Sequence, residues 1–166
     1  QEHGTIDPFM GDGVMAFWGA PALLEEHAFR ACLAALRIQR GMEVLTEAWK
    51  AEGAEPLRVR IGIHSDAVLV GNSGSKERMS YTVSGDGVNI AARLEGVNKE
   101  FRTTICISHN AFKEAGDGLC VRPIDEVAVK GRRSLVPIYE LLGAWGVGPE
   151  FEPSPQAQRM AELTRF

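Results

Sequence analysis

Between Leu24 and Lys50 the residues Leu24, Ala28, Ala31, Ala35, Ile38, Met42, Leu45 and Trp49 recur at alternating steps of four and three. Only a helical period returns side chains to one face at that spacing, so the stretch predicts a long amphipathic helix. A helix with a single apolar stripe needs an apolar surface to lie on, and its flanks must supply one. Gly53 and Pro56 end it.

The flanks read as strands. Thr5 to Phe17 is two short apolar stretches around Met10-Gly11-Asp12-Gly13. Asp-Gly between apolar runs is a strong hairpin signal, because Gly takes positive φ at little cost. Leu57 to Ile63 alternates apolar residues with Arg and Gly, Ser65-Asp66 reads as a turn, and Ala67 to Val70 as the returning strand. A polar loop over Gly71 to Arg78 precedes a short strand, Met79 to Ser84. Gly85-Asp86-Gly87 leads into a helix of about Val88 to Val97. Thr104 to Ile107 predicts a strand, and Ser108 caps a short helix. Strands near Leu119 to Val129 and Leu135 to Leu142 flank Lys130-Gly131-Arg132-Arg133. Hairpins interleaved with helices predict an α+β fold with a largely antiparallel sheet. The domain is expected to span residues 1–143, with 144–166 a linker and short C-terminal helix outside its core.

Composition narrows the functional classes. The chain has 166 residues, enough for one domain, and a formal net charge of -4. An acidic balance argues against a nucleic-acid partner, which would call for a basic stripe. Cys32, Cys106 and Cys120 lie in apolar runs and read as buried reduced thiols, not a disulfide framework. A cytoplasmic setting follows. No apolar run approaches the roughly 18 residues of a membrane span. A sensor domain or membrane anchor upstream of Gln1 stays open.

Three segments resemble class III adenylyl and guanylyl cyclases of the bacterial type. They are Gly4-Thr5-Ile6-Asp7-Pro8-Phe9-Met10-Gly11-Asp12-Gly13 through Gly19, Val59-Arg60-Ile61-Gly62-Ile63-His64 through Gly74, and Tyr81-Thr82-Val83-Ser84-Gly85-Asp86-Gly87-Val88-Asn89 through Leu94. Val129-Lys130-Gly131-Arg132 fits as well. The series keeps the family's order and spacing over roughly Gln1 to Gly143. The resemblance implies a ferredoxin-like βαββαβ core and active sites shared across a head-to-tail homodimer.

Cyclisation of a nucleoside triphosphate needs metal ions on the phosphate oxygens, a cation for the transition state, and a fixed ribose. Asp12, in its turn, is the candidate ligand for Mg²⁺ or Mn²⁺, of which the family uses two. Asn89 and Arg93 are four apart on one helix, so both leave one face. The resemblance implies that Asn89 holds the ribose and Arg93 the α-phosphate oxygens. Lys130 is the candidate contact for the terminal phosphates. Thr82 matches a base-recognition position, where its hydroxyl can donate or accept. ATP is the expected substrate, with GTP as the alternative. A lone histidine, His64, reads as structural, since no second histidine stands at metal-ligand spacing.

Two departures stand out. Pro8 occupies the position of the base-reading Lys of adenylyl cyclases or Glu of guanylyl cyclases. Proline offers no side-chain donor and no N–H, and predicts an edge or a bulge in its strand. The family's second metal aspartate lies on a strand upstream of this hairpin, before Gln1. An upstream segment, or a sheet completed by another chain, is expected to supply it. A catalytically weak or inactive nucleotide-sensing module is the alternative to an active cyclase.

Overall fold

The computed structural model describes residues 2–75, 78–128 and 135–163. The elements in chain order are β1 (Thr5–Met10), β2 (Gly13–Phe17), α1 (His27–Ala51), β3 (Ile61–Ile63), β4 (Leu69–Ser75), β5 (Arg78–Ser84), α2 (Asp86–Phe101), β6 (Ile105–Ser108), α3 (His109–Ala115), β7 (Leu119–Ala128), β8 (Leu135–Ala144) and α4 (Pro155–Leu163).

The main sheet has the order β3-β6-β8-β7, while β1-β2 and β4-β5 form two separate hairpins. Two expectations are corrected here. β3 does not fold back onto β4; it runs parallel to β6, pairing Ile61 with Ile105 and Ile63 with Ile107. The stretch read as a polar loop is instead the β4–β5 hairpin, which pairs from Leu69↔Ser84 to Ser75↔Arg78. Glycine and serine in those strands hid the β pattern, because ladder hydrogen bonds do not depend on side-chain polarity.

β6 explains how the layers stack. Its residues Ile105, Cys106, Ile107 and Ser108 are all buried. Successive side chains of a strand point to opposite faces. Ile105 and Ile107 join α1, α3 and Leu141 in the larger cluster. Cys106 joins Ile90 and Leu94 of α2 and Ile138 of β8 in the smaller one. The sheet therefore lies between α1 with α3 and α2. Each fully buried isoleucine contributes about 1.5–3 kcal/mol relative to exposure.

The stripe of α1 packs only at its N-terminal end. Ala28, Ala31, Cys32, Leu33, Ala35 and Leu36 are buried. Ile38 and Leu45 remain 48% and 46% exposed. A helix of 25 residues is about 37 Å long, whereas the short strands beneath it reach only on the order of 10–14 Å. The helix outruns β3 and β6, of 3 and 4 residues.

The segment after β8 closes onto this core. Phe151 is 3% exposed within the larger cluster. Its carbonyl accepts from the Ala144 N–H at 2.7 Å, and the Arg37 guanidinium lies 5.0 Å from its ring centroid. Burial pushes the Cys32 thiol up to about 12. Cys106 also rises to about 12, through burial and then the nearby Glu140 carboxylate. Among the described residues, no helix is long and apolar enough to cross a membrane.

Candidate active site

Asp12 stands in the two-residue turn between β1 and β2, where Met10 pairs with Gly13. The positive φ of this turn falls on Gly11, at 68°, and not on Gly13. Asp12 is exposed. The ladder is irregular between Asp7 and Met10, which is the bulge expected around Pro8. The Thr5 hydroxyl donates to the Ala20 carbonyl at 2.8 Å and Trp18 Nε1 donates to the Glu2 carbonyl at 2.7 Å, so the hairpin base is tied down.

Thr82 lies in β5 opposite Gly71 of β4 and is half-buried. A β-carbon built on Gly71 would meet nothing within 4 Å. Cross-strand partners share a face, so the face that carries Thr82 is open beside it. The Thr82 hydroxyl donates to the Asp7 carboxylate of β1. Phe17 and Tyr81 reinforce this junction, with ring centroids 5.9 Å apart. The hairpin bearing Asp12 and the strand bearing Thr82 are thus one joined unit.

α2 follows β5 through Gly85, whose φ of 140° is open mainly to glycine. Its buried stripe comprises Gly87, Ile90, Leu94 and Asn98. Asn89 and Arg93 each precede a stripe residue by one position, and both are exposed. They therefore flank the packed face one turn apart. Neither side chain, nor that of Asp12, makes a hydrogen bond or ion pair among the described residues. Among the described residues no hydrogen bond or ion pair joins Asp12 to Asn89 or Arg93. Lys130 lies outside the described residues.

Two structural supports of the site escaped sequence reasoning. Asn98 is 1% exposed. Its amide donates to the Ile61 carbonyl of β3 at 2.9 Å and its oxygen accepts from the Thr103 hydroxyl at 2.7 Å, which pins α2 to the sheet. Its signal was a polar residue at a helical step from Leu94. Asp7, 6% exposed, is the other. Its signal was a carboxylate inside an apolar strand, where Asp is disfavoured. His64 is structural as expected: its Nδ1 lies 2.8 Å from Ser108 Oγ, and the same oxygen accepts from the Ala111 N–H at the start of α3.

A divalent cation fits this donor set in part. Among the described residues no three His, Cys, Asp or Glu side chains cluster as metal ligands. Mg²⁺ commonly takes one or two carboxylates and completes its shell with water and substrate phosphates. Asp12, exposed and without a hydrogen-bond or ion-pair partner among the described residues, meets that requirement for one protein ligand.

The family model of the adenylate and guanylate cyclase catalytic domain matches residues 8–143. Adenylate cyclase 1 of Rhizobium meliloti is 41% identical over 140 residues, covering 84% of this chain and 21% of the relative. The chain thus spans about a fifth of that relative's length. Among solved structures, the guanylyl cyclase Cya2 superposes with a TM-score of 0.79 at 32% identity, over 92% of this chain and 76% of that one. The adenylyl cyclase CyaB from P. aeruginosa superposes with a TM-score of 0.76 at 34% identity, over 91% and 76%. The α+β layering agrees with these matches, and the chain belongs to the class III adenylate and guanylate cyclase catalytic domain family.

Proposed function

We propose that this chain is the catalytic unit of an adenylate cyclase that converts ATP to cyclic AMP and pyrophosphate. One observation carries the reading: Asn89 and Arg93 stand exposed, one turn apart, on a helix otherwise fixed by buried contacts, and neither side chain has a hydrogen-bond or ion-pair partner among the described residues. An arginine without a structural partner is available to an anionic ligand.

The ribose 3′-oxygen forms a bond to the α-phosphorus, its proton leaves, and the bond from that phosphorus to the bridging oxygen of pyrophosphate breaks. Asn89 holds the ribose by hydrogen bonding. Arg93 neutralises charge on the α-phosphate oxygens as it grows. Lys130 meets the terminal phosphates, and Thr82 meets the purine. Asp12 would hold divalent metal, Mg²⁺ or Mn²⁺, of which two per site are expected; such metal would supply shielding of the phosphate oxygens. No hydrogen bond or ion pair joins Asp12 to Asn89 or Arg93 among the described residues, and this, with the family resemblance, supports a site shared between two copies in a homodimer. Residues 1–143 form the catalytic unit, and 144–166 a linker and short C-terminal helix. Buried thiols support a cytoplasmic setting. The greater length of the relatives supports a sensor or membrane domain elsewhere in the polypeptide.

Pro8 and its bulge favour a second reading, a cyclase-like module that senses nucleotide with little or no turnover. The likeness to a guanylyl cyclase keeps GTP as a second substrate. Cyclic nucleotide formation by the full natural chain, with ATP or GTP and Mg²⁺ or Mn²⁺, tests both. Cyclic AMP that disappears in Arg93→Ala supports the enzyme. No product from a folded protein supports the sensor. Mixing Asp12→Ala with Asn89→Ala tests the shared site, since each inactive protein supplies what the other lacks.

A further inference from the structure

We propose that Asp7 is a positioning residue that fixes the polarity of Thr82, making its hydroxyl an acceptor toward the base and so selecting a 6-aminopurine over a 6-oxopurine. The proposal rests on the reading above that Thr82 faces the purine.

A threonine hydroxyl has one proton and two lone pairs. Left alone, it rotates to donate or accept, and discriminates little between purines. In this structure the proton is committed to the Asp7 carboxylate. A hydroxyl that donates its one proton to a carboxylate oxygen has none left to donate elsewhere. Only lone pairs remain on the open face beside Gly71. Adenine carries an amine donor at position 6, whereas guanine carries an oxygen acceptor there. An acceptor-only hydroxyl pairs with the first and opposes the second.

The burial of Asp7 points the same way. The residue is 6% exposed, and Thr82 is its side-chain hydrogen-bond partner among the described residues. Its cross-strand neighbour in the β1–β2 ladder is Met15. Burying a carboxylate against one hydroxyl is costly, and joining two hairpins does not require it, since the Phe17–Tyr81 contact already bridges them. Pro8, the next residue, brings no side-chain donor or acceptor to the base. The burden of reading position 6 falls on the Asp7–Thr82 pair.

The test measures binding of 3′-deoxy-ATP and 3′-deoxy-ITP, which lack the attacking hydroxyl, by displacement of a fluorescent ATP analogue from the full natural chain. The unmodified protein is expected to prefer the adenine nucleotide. Asp7→Ala frees the Thr82 proton and is expected to lower that preference about tenfold, chiefly by tightening the inosine nucleotide. Asp7→Asn keeps an acceptor oxygen and is expected to retain most of the preference. A purely structural role would weaken both nucleotides alike. If Thr82→Ala leaves the preference unchanged, Thr82 does not face the base and the underlying reading fails. If Thr82→Ala abolishes the preference but Asp7→Ala weakens both nucleotides equally, the role given to Asp7 is overturned while the reading of Thr82 stands. Should Asp7→Ala fail to fold, the unmodified protein still decides: equal binding of the two nucleotides overturns the proposal.

Discussion

Gly62 lies against the backbone of α2 so closely that a β-carbon there would stand 2.2 Å from the Ala91 carbonyl oxygen and 2.3 Å from the Glu95 nitrogen. The helix that carries Asn89 and Arg93 is therefore set at a depth only glycine permits. Neither neighbour is a side chain that can rotate away. Gly62→Ala is expected to lower stability by about 2–3 kcal/mol in urea unfolding. Gly41→Ala in α1 is the control. A β-carbon there meets nothing within 4 Å, so a helix-interior Gly→Ala change should stabilise by about 0.5–1 kcal/mol. Equal effects of the two substitutions would contradict the packing described.

Asn98 holds the other end of that contact. Asn98→Ala leaves the Thr103 hydroxyl and the Ile61 carbonyl without this partner and is expected to cost about 2–3 kcal/mol. Asn98→Asp removes the N–H donors and places a carboxylate at the same buried point, so it should destabilise more at neutral pH than at pH 4. Chemical unfolding at the two pH values distinguishes these effects.

Asn89 and Arg93 should behave in the opposite manner. Both are exposed, so alanine at either position is expected to change stability by less than about 0.5 kcal/mol. Turnover should fall about 100-fold or more. A thermal melt beside a cyclase assay separates the two quantities. A large loss of stability with turnover intact would make them structural residues.

The raised thiols carry a pH dependence of definite sign. Cys32 and Cys106 move from an ordinary 9.0 to about 12. Below about pH 8.5 both folded and unfolded chains hold these protons, and the contribution is complete. As pH rises toward 12 only the unfolded chain releases them, so stability falls by up to about 1.4 kcal/mol per pH unit per thiol. Urea unfolding between pH 7.5 and 10 checks the direction. Ellman's reagent should leave both thiols unmodified in the folded protein at pH 8 and react after denaturation.

Phe151 tests the segment beyond β8. Its ring is buried in the same cluster as Ile105 and Leu141. Phe151→Ala is expected to cost about 3–4 kcal/mol, read by thermal unfolding. A cost below about 0.5 kcal/mol would mean that the segment rests on the core without supporting it.

Much of the fold was legible because local patterns carry it. The helix period from Leu24, the hairpin around Asp12, the Ser108 cap and the closing strands all appear close to the expected places. The capping bond is present, with Ser108 Oγ accepting from the Ala111 N–H at 3.2 Å. What failed was strand pairing. Ile61 to Ile63 looks the same in sequence whether its partner is β4 or β6, since an alternating pattern specifies a face and not a neighbour.

For the site, the sequence alone determined the residue types and their spacing along each element. Asn89 and Arg93 share a face because a helix turns every 3.6 residues, and that holds in any context. Only the tertiary structure decided which groups are spoken for. It committed the Thr82 proton to Asp7, buried Asn98 between helix and strand, and left Asp12, Asn89 and Arg93 exposed. Those assignments depend on contacts between residues far apart in the chain, 75 positions for Asp7 and Thr82. No local period encodes such a contact; it exists only once the two hairpins have packed together.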